Sequence, residues 1–218
     1  MGSYFIYKQQ VFETTLQLVE IDLIRMSAGN ISVRLPDGNI AITPSGLLYD
    51  HMKPEDIIIM DLQGNKLEGK YNPSSEKALH NEIYKTKPNI NAVIHTHSRY
   101  AIAFSTVAME LPVICLELLF AGGPIPVADY QCPGTIEVGI NAASIFQKRP
   151  DLMGLILKNH GMVAIGESLT AAYQNAYNLE TGAEIYHLAL KTGKTPVALS
   201  QKQITEILDQ YKKTKPKY

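Results

Sequence analysis

The sequence predicts a layered α/β domain of the α+β type, with a sheet of short strands covered by helices. Three observations predict it. Apolar residues recur at helical spacing near both ends of the chain. Short runs rich in isoleucine and valine fill the middle, and turn residues separate them. Strands with one apolar face and helices with one apolar stripe bury those surfaces by stacking in layers. The third observation is size: 218 residues suffice for one such domain with a substantial core. No repeat, low-complexity tract or linker divides the chain, so residues 1–218 are read as one domain.

The elements follow in order. Over residues 10–26, Val11, Phe12, Leu16, Val19, Leu23 and Ile24 recur with helical period and predict an amphipathic helix. Residues 31–35 and 39–43 read as two strands around Pro36-Asp37-Gly38, a hairpin turn. Residues 57–62 form a compact apolar strand closed by Gln63-Gly64-Asn65. Pro73-Ser74-Ser75-Glu76 opens a helix to about residue 86. Residues 91–95 read as a buried strand and 99–107 as a helix. From 113 to 130 no regular pattern survives Gly122, Gly123, Pro124 and Pro126. Residues 135–147 read as helix and 152–158 as a strand. The turn Asn159-His160-Gly161 leads to a second strand through residue 165. A long helix spans 169–191, and a shorter one 201–212.

Composition excludes several classes of function. Lys+Arg (20) and Asp+Glu (21) nearly cancel, so nothing draws the chain to nucleic acid or an anionic membrane. The basic end around Lys212 and Lys213 is short and reads as a solvated tail. No apolar run reaches the roughly 18 residues of a membrane span. The start lacks the pattern of a secretory signal. The two cysteines, Cys115 and Cys132, imply no disulfide framework. These features together point to the cytoplasm. No glycine-rich dinucleotide fingerprint or phosphate-binding P-loop is present.

Several residues can carry chemistry. His95 and His97 are two apart at the end of an apolar run. On a strand, such residues share a face and can grip one metal ion; they can equally be two polar residues at a strand edge. His160 sits in a turn between strands, where functional groups are often presented; Asn-His-Gly is also an ordinary turn. Three histidines around one ion leave positions open for water or substrate, as in catalytic rather than structural sites. Imidazole suits zinc without excluding iron, cobalt, nickel or copper. Ser74 or Ser75 can cap a helix with Glu76 in its first turn. The same hydroxyls and N–H groups can bind phosphate, with Glu76 beside the metal as a general base. His80, one turn further along, is read as a supporting partner or as a partly buried histidine. Ser27-Ala28-Gly29-Asn30 and Thr43-Pro44-Ser45-Gly46 read as turns able to present N–H groups and hydroxyls to an anion.

Taken in order, Gly-Asn-x-Ser, Thr-Pro-Ser-Gly, Pro-Ser-Ser-Glu, His-x-His and Asn-His-Gly resemble the class II aldolase and adducin-head family over about residues 11–211. Within the family the chain looks most like members that cleave phosphorylated ketoses such as L-fuculose 1-phosphate. The resemblance implies a central, mostly antiparallel sheet flanked by helices, and a homotetramer with active sites between subunits. It implies a divalent metal, zinc, on His95, His97 and His160, with Glu76 as acid/base. It further implies that Gly29, Asn30, Ser45, Gly46, Ser74 and Ser75 hold the phosphate of a small sugar substrate.

The sequence departs from the family at one position. A tyrosine from the neighbouring subunit serves these aldolases as proton donor to the aldehyde half, and Leu116 falls in its place. Glu117, beside it in an apolar segment, is the candidate replacement, with Tyr130, Tyr211 and Tyr218 as others. The reaction expected is metal-assisted retro-aldol cleavage to dihydroxyacetone phosphate and an aldehyde. A sugar-phosphate 4-epimerase, a methylthioribulose-phosphate dehydratase and a non-catalytic adducin-like head are the alternatives on the same fold.

Overall fold

The computed structural model describes residues 4–214; Tyr218, one of the candidate proton donors, and Lys215 and Lys217 of the basic tail lie outside them. Among the described residues nine strands form one sheet. They are β1 (Asn30–Arg34), β2 (Ile40–Ile42), β3 (Ile58–Met60), β4 (Lys66–Glu68), β5 (Ala92–Thr96), β6 (Glu110–Leu111), β7 (Ile125–Ala128), β8 (Gly154–Leu157) and β9 (Gly161–Gly166). Their spatial order is β4-β3-β2-β1-β5-β9-β8-β7-β6. Every neighbouring pair is antiparallel except β7 with β8. The helices are α1 (Phe5–Glu20), α2 (Lys77–Thr86), α3 (Arg99–Ser105), α4 (Leu116–Phe120), α5 (Ile136–Lys148), α6 (Leu169–Leu190) and α7 (Gln201–Thr214). The expected central, mostly antiparallel sheet flanked by helices is what forms.

The sheet interior explains the apolar runs. β3, β5, β8 and β9 are buried along their whole length, as strands covered on both faces must be. Each isoleucine buried there contributes about 1.5–3 kcal/mol relative to exposure. Edge strand β4 is exposed and carries Lys66 and Glu68, charges that discourage pairing with another sheet edge. On β1 the side chains alternate. Val33, and Leu35 just beyond the strand, line the cleft between α1 and the start of α6. Asn30 and Ser32 point the other way, to α2, where His80 meets both. Helix α2 in turn packs on α5, so closely that a Cβ on Gly139 would lie 2.7 Å from the Ala78 carbonyl.

Four local readings are corrected. Helix α1 starts at Phe5 and ends at Glu20, short of residue 26. Asp22 adopts φ 62°, and the N–H groups of Leu23 and Ile24 fold back to the Leu18 carbonyl. A left-handed residue closing a helix end is a common stop. Leu23 and Ile24 are nonetheless buried, so the helical apolar pattern outlasts the helix. Helix α2 starts at Lys77, which makes Glu76 its cap residue rather than part of its first turn. Helix α3 stops at Ser105 rather than residue 107. The segment 113–130, unreadable from sequence, contains α4 and β7, and Glu117 lies in the first turn of α4.

Candidate active site

The register of three strands assembles the site. Asn30 pairs with His95 across β1 and β5, and His95 with Val163 across β5 and β9. Cross-strand partners share a face, so the Gly-Asn and His-x-His motifs become neighbours. The end of β5, where His97 follows Thr96, lies beside the start of β9, where His160 precedes Gly161. Asn159 takes φ 57° in the connecting turn, a conformation asparagine tolerates. The three imidazoles come together with ring centroids 5.1, 4.7 and 5.1 Å apart. One ligand atom from each, and a carboxylate oxygen of Glu76, all lie within 4.8 Å of one another.

Two loops supply the rest. Gly29 precedes β1 with φ +83°, and a Cβ there would sit 2.6 Å from the His95 carbonyl; only glycine fits. The Tyr49 hydroxyl donates to the Gly29 carbonyl at 2.6 Å and pins this turn. The Thr-Pro-Ser-Gly and Pro-Ser-Ser-Glu turns are latched together. Ser74 N–H donates to the Thr43 carbonyl at 3.1 Å, and Ser45 N–H to the Asn72 carbonyl at 2.9 Å. The Ser74 hydroxyl accepts from the Glu76 N–H at 3.2 Å, so it supports the cap residue rather than capping α2 itself.

A cavity of about 340 Å³ opens over the cluster. Gly29, Asn30, Ser45, Gly46, Ser74 and Ser75, the six residues expected at the phosphate, all line it, with Glu76, His97 and His160. Its lining also includes Pro133 and Gly134, which the sequence reading passed over although Pro-Gly marks a turn. Glu117 and Tyr130 do not line it. Glu117 is half-buried on α4, whose Leu118 packs against α6 at Gly182, and it interacts with Cys115. Within one chain the structure does not bring Glu117 to the histidines. Tyr211 meets Phe120 edge to face, centroids 4.6 Å apart, and is not among the residues lining the cavity.

The donor chemistry can be read atom by atom. His95 Nδ1 is 2.8 Å from the Met162 carbonyl. A carbonyl only accepts, so Nδ1 carries the proton and Nε2 presents a lone pair. That Nε2 lies 3.1 Å from Glu76 Oε2, and His160 Nε2 lies 3.1 Å from Glu76 Oε1. His95 Nε2 and Glu76 Oε1 are buried and make no hydrogen bond. Buried lone pairs turned toward one another are costly unless a cation lies among them, so the residues fit a divalent metal. Burial, then His95 and His160, push the His97 imidazole down to about 4, which leaves it neutral and able to ligate at pH 7. Desolvation raises the Glu76 carboxyl, but positive charge on the His95 and His160 side of the cluster outweighs it. The carboxyl is held well below the usual range.

A sheet of this topology bearing a three-histidine, one-glutamate cluster defines a class II aldolase type of protein. Residues 9–187 match the family model for the Class II Aldolase and Adducin N-terminal domain, and the chain belongs to that family. Similar proteins within it are aldolases, and the chain is an enzyme of that class. It is 33% identical over 188 residues to the 5-deoxy-D-ribulose 1-phosphate aldolase of Bacillus thuringiensis serovar kurstaki, spanning 86% of this chain and 87% of that one. It is 40% identical over 163 residues to the L-fuculose phosphate aldolase of Methanococcus maripaludis, spanning 74% and 86%. A solved L-fuculose 1-phosphate aldolase superposes with a TM-score of 0.88 at 34% identity, covering 97% of this chain and 98% of that one. The non-catalytic, adducin-like alternative is thereby set aside. Among the described residues no helix is long and apolar enough to cross a membrane.

Proposed function

We propose that the chain cleaves a small phosphorylated ketose, of the L-fuculose 1-phosphate or 5-deoxyribulose 1-phosphate kind, to dihydroxyacetone phosphate and an aldehyde. The observation that carries this reading is the cluster of His95, His97, His160 and Glu76, its buried lone pairs uncompensated, at the base of a cavity lined with hydroxyls and glycines. His95, His97 and His160 would hold one divalent ion, zinc being the best match to imidazole ligands. When bound, that ion supplies a Lewis acid that withdraws charge from the substrate's carbonyl oxygen.

The chain's own groups do the rest. Ser45, Gly46, Ser74 and Ser75, with the Gly29-Asn30 turn, hold the phosphate through hydroxyls and N–H groups. This places the carbonyl end at the histidines, and positioning of this kind accounts for much of a barrier's reduction. The carbon–carbon bond next to the ketone half breaks, and its electron pair stays with that half. The hydroxyl on the departing half loses its proton as the aldehyde forms. Glu76 enters the step ionised; it takes up from water in the cavity a proton equal to the one the hydroxyl gives up, and delivers it to the carbon left behind. Leu116 cannot accept the hydroxyl proton, and Glu117 does not line the cavity of its own chain, so the acceptor proposed is Glu117 of a neighbouring copy. We therefore assign the active form as a homotetramer with sites between subunits.

The test is a panel of ketose 1-phosphates and ketose 5-phosphates incubated with the metal-loaded protein. Dihydroxyacetone phosphate and free aldehyde are measured separately. Equal amounts of the two from a ketose 1-phosphate are expected. Isomerised or dehydrated product with no aldehyde would reject the lyase reading.

A further inference from the structure

Behind Glu76 runs a chain of buried polar groups that the reaction scheme does not use. Asn30 Nδ2 donates to Glu76 Oε2 at 2.9 Å. Asn30 Oδ1 is 2.5 Å from His80 Nε2. His80 Nδ1 is 2.6 Å from Ser32 Oγ, which is 2.8 Å from the Tyr84 hydroxyl. Ser32 and His80 are fully buried, and Tyr84 and Asn30 are 1% and 3% exposed, so no bulk water can replace a missing partner.

The direction of every bond in this chain is determined. An ionised carboxylate only accepts, so the amide NH2 of Asn30 must face Glu76. Its carbonyl then faces His80, so His80 Nε2 must carry the proton. The ring is neutral, since burial first and then nearby His95 push its pKa down to about 3, and Nδ1 is therefore an acceptor. Ser32 donates to it, and Tyr84 donates to Ser32. Each group donates toward Glu76, and hydrogen bonds aligned head to tail reinforce one another.

We propose that His80 is a positioning residue for the reaction. By donating from Nε2 it locks the Asn30 amide with its NH2 toward Glu76, which ties down Oε2 beside His95 and leaves Oε1 turned to His160. The proposal rests on the reading of Glu76 as the acid/base group. Without a donor at His80, the amide is free to turn over and set its carbonyl against the carboxylate. The carboxylate would then lose its one side-chain tether outside the histidine cluster. Glutamine in place of His80 keeps an N–H near the Nε2 position, whereas leucine fills the space with no donor.

The experiment compares His80→Leu with His80→Gln, each checked for metal content. The His80→Leu variant should lose about 10–100-fold in kcat, as removal of such supporting partners does, with KM within about twofold and metal stoichiometry unchanged. His80→Gln should recover most of that loss. Equal losses in the two variants, or a loss confined to KM, would overturn the proposal. Neutron diffraction of the deuterated wild-type protein supplies a second measurement that needs no variant to fold. It should show deuterium on His80 Nε2 and none on Nδ1, and a deuterium on Nδ1 alone would overturn the proposal outright. If no ketose phosphate is cleaved, the reading of the reaction has failed. The diffraction result, obtained without substrate, still decides whether His80 directs its donor at Asn30.

Discussion

Replacing Gly29 with alanine tests whether the turn ahead of β1 is what holds Asn30 against His95. The residue has φ +83°, and an added Cβ would lie 2.6 Å from the His95 carbonyl oxygen and 2.9 Å from Ile24 Cγ2. The left-handed conformation costs a non-glycine residue about 1–2 kcal/mol. Forcing a methyl group into a filled site adds about 1–3 kcal/mol. Gly38 provides the control, because it has φ +85° but no atom within 4 Å of its would-be Cβ. Gly38→Ala therefore carries only the first cost. For a chain of this size each kcal/mol lowers Tm by about 2–4 °C. Gly29→Ala should melt about 4–20 °C below wild type and Gly38→Ala about 2–8 °C below. Thermal unfolding followed by circular dichroism, at one protein concentration, measures both. Gly38→Ala should keep wild-type kcat, while Gly29→Ala should lose activity as Asn30 and the carboxylate it holds are displaced. If the two variants melt within a degree of each other, the close approach to His95 is not what demands glycine, and the reasoning fails.

Other expectations concern the cluster and its surroundings. His95→Ala should retain its far-UV spectrum but lose both bound metal and turnover; elemental analysis showing one full equivalent of metal would reject the ligand assignment. Glu76→Gln preserves shape without a proton-transferring group and should lower kcat by about 10² or more, with an unchanged kcat returning Glu76 to a capping role only. Acid should destabilise the protein through His80. Its folded-state value of about 3 lies below its ordinary 6.5, so the unfolded chain binds more protons between those limits. Stability is then fully present above about pH 6.5 and is lost as pH falls toward 3, and urea titrations should show a shallower loss over that window in His80→Gln. Light scattering should give four times the chain mass of 24.1 kDa, and a monomer with full activity would reject the shared site.

The sequence displayed the site more fully than it displayed the fold around it. His95, His97, His160 and Glu76 were legible because ligand chemistry limits the residue types and strand geometry limits their spacing. The turns carrying Gly29, Asn30, Ser45, Gly46, Ser74 and Ser75 were legible because backbone presentation demands small residues. Helix α4 and strand β7 were not, since five and four residues broken by glycine and proline carry too little periodicity. The end of α1 was misplaced because Leu23 and Ile24 stay buried after the helix stops, and burial rather than helicity sets the apolar pattern. Of the chain behind Glu76, His80 was read as a supporting partner or a partly buried histidine, while Tyr84 and Ser32 were not connected to it. Glu76, His80 and Tyr84 recur every four residues, and Asn30 and Ser32 alternate on a strand. Polar residues at the period of a buried face mark a network as surely as apolar ones mark a core.

The cavity is built from parts of unlike mechanical character. His95 lies on β5, with β1 and β9 bonded on either side, near the middle of the nine-stranded sheet. Strands so placed open only when the whole molecule does. The cavity is also lined by the connecting turn at Pro133 and Gly134, and turns of this kind tolerate exchange of residues and changes of length. The histidine cluster is therefore anchored where mutation is punished, while part of the cavity lining sits where mutation is cheap. On the proposed function, substitutions in that turn are where altered preference among ketose phosphates should first arise, with the cluster that cleaves them left intact.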